Sequence, residues 1–191
     1  VPDVPPPSRE TLDASIRKAA DFLLKEQNRD GSWGNHTRTK GLNVLCPYPE
    51  GPRSFRTAST SLCVIGLLTS PLKEDPAVKA SLDKALQYLL TTLPTLKRGD
   101  TRTVLGVWGH AYGLSALSRA ARNLPADAPL REELKKVASL QVKALDQMAD
   151  VQGGWGYYTF ETFSKRPIGE PTSFLTATVL LAYKDAEQAF G

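Results

Sequence analysis

Thr57-Ala58-Ser59-Thr60-Ser61-Leu62-Cys63-Val64-Ile65-Gly66-Leu67-Leu68-Thr69-Ser70 contains no charged residue. A helix without a polar face belongs among other helices, not at the surface. Upstream of this stretch the pattern is different. Ser8 can cap a helix start, and Leu12, Ile16, Ala19, Ala20, Leu23 and Gln27 follow at helical spacing, with Arg17, Lys18, Lys25 and Glu26 outside the stripe. Asn28-Arg29-Asp30-Gly31 ends that helix as a turn, and the segment from 28 to about 56 reads as irregular.

The alternation recurs downstream. Residues 76–93 are amphipathic, with Val78, Leu82, Leu86, Leu89 and Leu90 beside Lys79, Asp83 and Lys84; residues 103–118 carry no formal charge apart from His110. Residues 129–149 are amphipathic again, and residues 171–183 are charge-free, with Pro171 expected in the first helical turn. Three charged helices alternating with three bare ones predict an all-α chain in two layers, the amphipathic helices outside and the bare ones inside. Three antiparallel hairpins set side by side in a curved or ring-like array satisfy this pattern; a compact bundle would not require it. The expected organisation is a proline-rich linker over residues 1–7 and a single domain over 8–191.

Bulk properties exclude several classes. Among 191 residues, 24 Lys and Arg are interleaved with 20 Asp and Glu, giving a net charge of +4. No basic stripe interleaved with aromatics is present, so nucleic acid is not expected as a partner. The longest apolar run, Leu62 to Leu68, falls far short of the roughly 18 residues of a membrane span. The proline-rich start without Met reads as a linker or a processed beginning, which leans toward a secreted or periplasmic protein. Cys46 and Cys63 could pair outside the cytoplasm, but Cys63 lies in an apolar helix and is expected to be a free thiol. Asn35-His36-Thr37 matches a glycosylation sequon.

Two turns after outer helices share a pattern. Gln27-Asn28-Arg29-Asp30-Gly31-Ser32-Trp33-Gly34 is followed, 120 residues on, by Gln147-Met148-Ala149-Asp150-Val151-Gln152-Gly153-Gly154-Trp155-Gly156, which keeps the Gln and the Gly-x-Trp ending with a two-residue expansion. Gly106-Val107-Trp108-Gly109 is a partial copy without the Gln. Gln27 and Gln147 are expected to bond terminal helix carbonyls, Trp33 and Trp155 to cover those ends, and Gly31 and Gly153 to permit the turn, so all six read as structural.

The pattern resembles the QW repeat of squalene and terpenoid cyclases, which is related to repeats in protein prenyltransferase β subunits. The resemblance spans residues 8 to 190 and implies an α/α toroid with about half the usual number of helix pairs. It leaves open a homodimer that completes the ring, the remainder of a longer chain, or an open minimal form. The superfamily's chemistry does not carry over onto these residues. An Asp-x-Asp-Asp acid, Asp-rich magnesium clusters, an Asp-x-Cys zinc pair and a Gly-Cys-Gly-Glu-Gln thioester sequence are all missing from the 191 residues. No metal-ligand spacing appears around His36 or His110, no catalytic residue is assigned, and no cofactor is called for.

In such an array the segments leading into the inner helices would face the centre. Arg53, Phe55 and Arg56 form one, Trp108, His110 and Tyr112 a second, and Tyr157 with Glu170 a third. They suit an apolar or peptide-like ligand with an anionic group, held by Arg53 and Arg56. His110 reads more simply as a satisfied core histidine. Two other readings stay open: part of an isoprenoid cyclase or transferase-like enzyme with its catalytic groups elsewhere, and a purely structural dimerisation module.

Overall fold

In the computed structural model, which describes residues 5–35, 49–98, 104–159, 161 and 164–191, the chain is all-α. Six helices follow one another: α1 (Arg9–Glu26), α2 (Glu50–Thr69), α3 (Pro76–Thr92), α4 (Gly106–Arg122), α5 (Pro129–Gln147) and α6 (Ser173–Phe190). A 3-10 turn, Leu93–Thr95, extends α3. Local chemistry sets the starts. Ser8 Oγ accepts from the Thr11 N–H at 3.2 Å, and Asp75 accepts from the Ala77 N–H at 2.9 Å, just ahead of Pro76. Pro129 opens α5 in the same first-turn position.

Three boundaries differ from the sequence reading. Helix α2 begins at Glu50, so Arg53, Phe55 and Arg56 are helical and not in a loop. Pro52 falls in its first turn, where a missing N–H costs nothing. Helix α4 continues through Arg119 and Arg122, and α6 runs from Ser173 through Lys184, Asp185 and Glu187, leaving Pro171 upstream of its cap residue Thr172. These extensions carry charge because the charges pair with each other. Arg119 Nε lies 2.9 Å from Asp185 Oδ2, and Arg122 Nη2 lies 3.3 Å from Oδ1 of the same carboxylate.

Helices α2, α4 and α6, expected as the inner layer, lie in that order, with α4 packed between the other two. Among the outer helices, α1 touches α3 and α3 touches α5. The closest inner–outer packing joins α2 to α3 and α4 to α5, across the short connections 70–75 and 123–128. The pairs expected from sequence, α1 with α2, α3 with α4 and α5 with α6, are joined by the longer segments 27–49, 96–105 and 148–172 and pack more loosely. The alternation therefore predicts the grouping of α2, α4 and α6 but mispairs the hairpins, because a short connection lets antiparallel neighbours meet along their whole length.

The core centres on α4. Ala111, Leu114 and Leu117 have no exposed surface, and burial of each leucine is worth about 2 kcal/mol. Helix α2 approaches closely because position 109 is glycine: a Cβ there would sit 2.8 Å from Ser54 Oγ. Of the hydroxyls that α2 buries, Ser54 donates to Leu105 O and three others to carbonyls one turn back. Thr57, Thr60 and Ser61 bond to Arg53, Arg56 and Thr57 at 2.9, 2.9 and 2.8 Å. At the other end of the core, the Arg131 guanidinium of α5 donates to the carbonyls of Ala121 and Ala189, capping α4 and α6 together.

The two tryptophan turns are copies in hydrogen bonding. The Asn28 N–H donates to Ser32 O and the Gly31 N–H to Asn28 O; Asp150 N–H donates to Gly154 O and Gly153 N–H to Asp150 O, all between 2.9 and 3.0 Å. The Trp33 indole donates to Leu23 O and the Trp155 indole to Leu145 O, each at 2.8 Å. The main-chain N–H of Trp33 reaches Thr60 Oγ1 of α2, and that of Trp155 reaches Thr176 Oγ1 of α6. Gly31 and Gly153 adopt φ of 86° and 91°, where only glycine is unstrained. So the indole, not the glutamine, satisfies the helix-end carbonyl. Gln27 instead donates to Gly31 O within the turn and to Ser81 O of α3, and accepts from Ser81 Oγ.

This register aligns Gln27 with Ala149. Gln147 lies one turn before the turn proper, is exposed, and does not reproduce the Gln27 contacts, so the second copy needs no two-residue expansion. The partial copy at residues 106–109 is not a turn: these residues form the first turn of α4.

Candidate functional site

Helix α4 starts with Trp108 and Tyr112 one turn apart on a face that stays partly exposed, and their rings stack with centroids 5.5 Å apart. Phe174 of α6 stacks on Trp108 at 6.1 Å, Tyr157 closes on both from the 148–172 loop, and Tyr158 abuts Tyr157. Five rings thus gather where α4, α6 and the loop meet. Phe174 is 53% exposed and Tyr158 39%, so the cluster opens onto solvent instead of filling the core.

The loop holds Tyr157 and Tyr158 through buried polar groups. Asp150 accepts from the Gln152 N–H at 2.9 Å and the Gly169 N–H at 2.7 Å, pinching the two ends of the loop together. Thr159 Oγ1 accepts from the Ile168 N–H at 2.9 Å, and the Val104 N–H donates to Tyr157 O at 2.6 Å. Partial burial pushes the Tyr157 phenol up from its ordinary range; the Trp108 indole N–H beside it pulls the other way, and neighbouring Tyr112 and Tyr158 add to the rise. Tyr157 stays a neutral hydrogen-bonding group at physiological pH.

The sequence-predicted site divides in two. Trp108, Tyr112 and Tyr157 come together. Phe55 is exposed on α2 without a ring partner among the described residues, and Glu170 is exposed, its main-chain carbonyl packed against Gly156 beside Tyr157. Arg53 is held by Glu50, at 3.4 Å, and by Thr95. Arg56 forms a two-point contact with Asp30, at 3.1 and 2.9 Å, and lies over the Tyr88 ring. Burial alone would raise the Asp30 pKa, but hydrogen bonds from Ser32 and the charge of Arg56 hold it below the usual carboxylate range. Both guanidinium groups are committed to internal partners, Arg56 to the first tryptophan turn.

His110 lies behind the aromatic face, 2% exposed, with Nδ1 2.7 Å from Gln141 Oε1. Because the Gln141 amide nitrogen donates to Val137 O, its oxygen accepts and His110 carries its proton on Nδ1. Nε2 is buried without a partner among the described residues, and burial holds the His110 pKa below the ordinary value of 6.5, against the Gln141 hydrogen bond. Gln141 gave no signal in the sequence because it occupies a polar position within an amphipathic helix; Phe174 was hidden in a charge-free stretch read as buried.

Cys63 is a free thiol whose pKa burial raises to about 11. Cys46, His36 and the sequon threonine lie outside the described residues. Among the described residues no three His, Cys, Asp or Glu side chains gather as for a metal, and no helix is long and apolar enough to cross a membrane. No protein-family model matches the chain, and no solved structure matches it.

Proposed function

We propose that this chain is a helical-repeat domain of the prenyltransferase and squalene cyclase-like superfamily, an open half of an α/α toroid, that binds an apolar or peptide-like ligand on its inner face. The carrying observation is the five-ring cluster of Trp108, Tyr112, Tyr157, Tyr158 and Phe174, which stays half-exposed at the junction of two inner helices. Exposed aromatic groups with phenol hydroxyls among them offer contact area at little entropic cost and a few hydrogen bonds for orientation. The two tryptophan turns with one hydrogen-bond pattern support the superfamily reading. With Arg53 and Arg56 engaged internally, the ligand's polar end meets tyrosine hydroxyls, and an anionic group is not required.

A neutral isoprenoid alcohol, farnesol, is a direct probe. The three indole N–H signals in an NMR spectrum separate Trp108 from the two turn tryptophans. Farnesol should move the Trp108 signal and leave Trp33 and Trp155 in place, and Phe174→Ala should weaken the effect. A Trp108 signal that does not move at saturating farnesol, and with apolar peptides in its place, sinks the reading.

A further inference from the structure

The shared hydrogen bonds fix a register between the two ends of the chain. Leu23 corresponds to Leu145 and Thr60 to Thr176, so residues 9–25 of α1 align with 131–147 of α5 and residues 57–69 of α2 with 173–185 of α6. Exposure at counterpart positions then shows what each end lacks. Leu134 of α5 is 0% exposed where α5 packs on α4; its counterpart Leu12 of α1 is 51% exposed. Gln141 is buried and its counterpart Ala19 exposed. In the opposite direction, Val64 of α2 is 0% exposed, whereas Leu180 of α6 is 55% exposed. Ala20 and Ser61 are buried, and their counterparts Val142 and Ala177 are exposed.

The two ends are complementary. Among the described residues, the α1–α2 end lacks neighbours on the side where α5 and α6 have α3 and α4. The α5–α6 end lacks neighbours on the side where α1 and α2 have them. Between α5 and α6 this leaves an open groove of about 760 Å³ lined by Ala138, Val142, Leu180, Tyr183 and Phe190. From this we infer that two copies of the chain associate head to tail, with α1 and α2 of one copy seated against α5 and α6 of the other. A single added helix would cover one end only, while a second copy supplies the missing neighbour at both ends with the side chains that the repeat already uses. Apolar surface at a non-closing end of this kind is otherwise an association liability.

The test is sedimentation equilibrium of the 191-residue chain from low to high micromolar concentration. Wild type should be a dimer or larger. Leu12→Glu and Leu180→Glu, each at an exposed position, should keep full helicity and weaken self-association by about tenfold or more. Each variant retains one intact end, so mixing the two should give a one-to-one heterodimer that neither forms alone. Ala177→Arg, on the same α6 face, replaces Leu180→Glu if that variant loses helicity. A wild-type monomer throughout overturns the inference, as does association undisturbed by both end variants. Loss of association in both variants without recovery on mixing rules out the head-to-tail geometry.

Discussion

The indole nitrogen of Trp155 donates to the main-chain carbonyl of Leu145 ten residues earlier, at 2.8 Å, and so closes the last turn of α5. The ring is 8% exposed and meets Tyr183 edge-on at 5.8 Å. Trp155→Phe keeps most of the ring and removes the indole donor from the Leu145 carbonyl, which still accepts from the Met148 N–H at 3.0 Å, a cost of about 1 kcal/mol. Trp155→Ala also empties the site and should cost about 3–5 kcal/mol. Urea unfolding of the two variants measures the difference, and equal losses would assign the role to packing alone.

Gly31 and Gly153 share a backbone conformation but not their surroundings. A Cβ at Gly31 would lie 2.3 Å from the carbonyl oxygen of Lys84, whereas at Gly153 it would meet nothing within 4 Å. Gly153→Ala should therefore cost only the conformational strain, on the order of 1 kcal/mol. Gly31→Ala adds a backbone clash with α3 and should lower the melting temperature clearly further. Thermal unfolding of the pair checks the ranking.

His110 makes stability depend on pH. Its pKa is lower folded than the 6.5 of an unfolded histidine, so the neutral form is the native one. Above that value the group has no effect on the slope. As pH falls below it, the unfolded chain takes up a proton that the native state refuses, and stability falls by up to about 1.4 kcal/mol per pH unit until the folded pKa is reached. His110→Gln should remove this component, seen as a flatter denaturation midpoint between pH 6.5 and 5. An unchanged slope would mean that His110 takes up its proton equally in the folded and unfolded chain.

Arg131 reaches across from α5 to carbonyls at the ends of two inner helices. Arg131→Met keeps the aliphatic stem and removes the guanidinium donor from both carbonyls, Ala121 O retaining the Leu124 N–H at 3.2 Å, an expected loss of about 1–2 kcal/mol. Hydrogen exchange should show the last turns of α4 and α6 loosening together; loosening in only one would mean the cap is single.

The all-α fold and the grouping of α2, α4 and α6 were legible from their charge-free stretches, but burial does not follow charge: α3 is largely buried while α6 exposes Phe174, Leu180 and Leu181. The ends of α4 and α6 were not legible, because Arg119, Arg122 and Asp185 neutralise one another only once α4 and α6 are adjacent. The tryptophan turns were visible as Gly-x-Trp, yet the glutamine attached to the second one misled: spacing cannot reveal that the indole takes the helix-end carbonyl. Of the candidate site, Trp108, Tyr112 and Tyr157 were recognisable as aromatics at inner-helix entrances. The engagement of Arg56 was not, since Asp30 is distant in sequence, and the Glu50–Arg53 pairing arises only because α2 begins at Glu50.

Helix α1 buries one residue, Ala20, and is otherwise held by the Trp33 turn, the Arg17–Asp75 ion pair and the Gln27–Ser81 contact. Helices α2 to α5 are joined by tighter packing through short connections or through the centre of the core. The packing is therefore graded along the chain, and α1 is expected to be the first helix to lose amide protection in native-state hydrogen exchange.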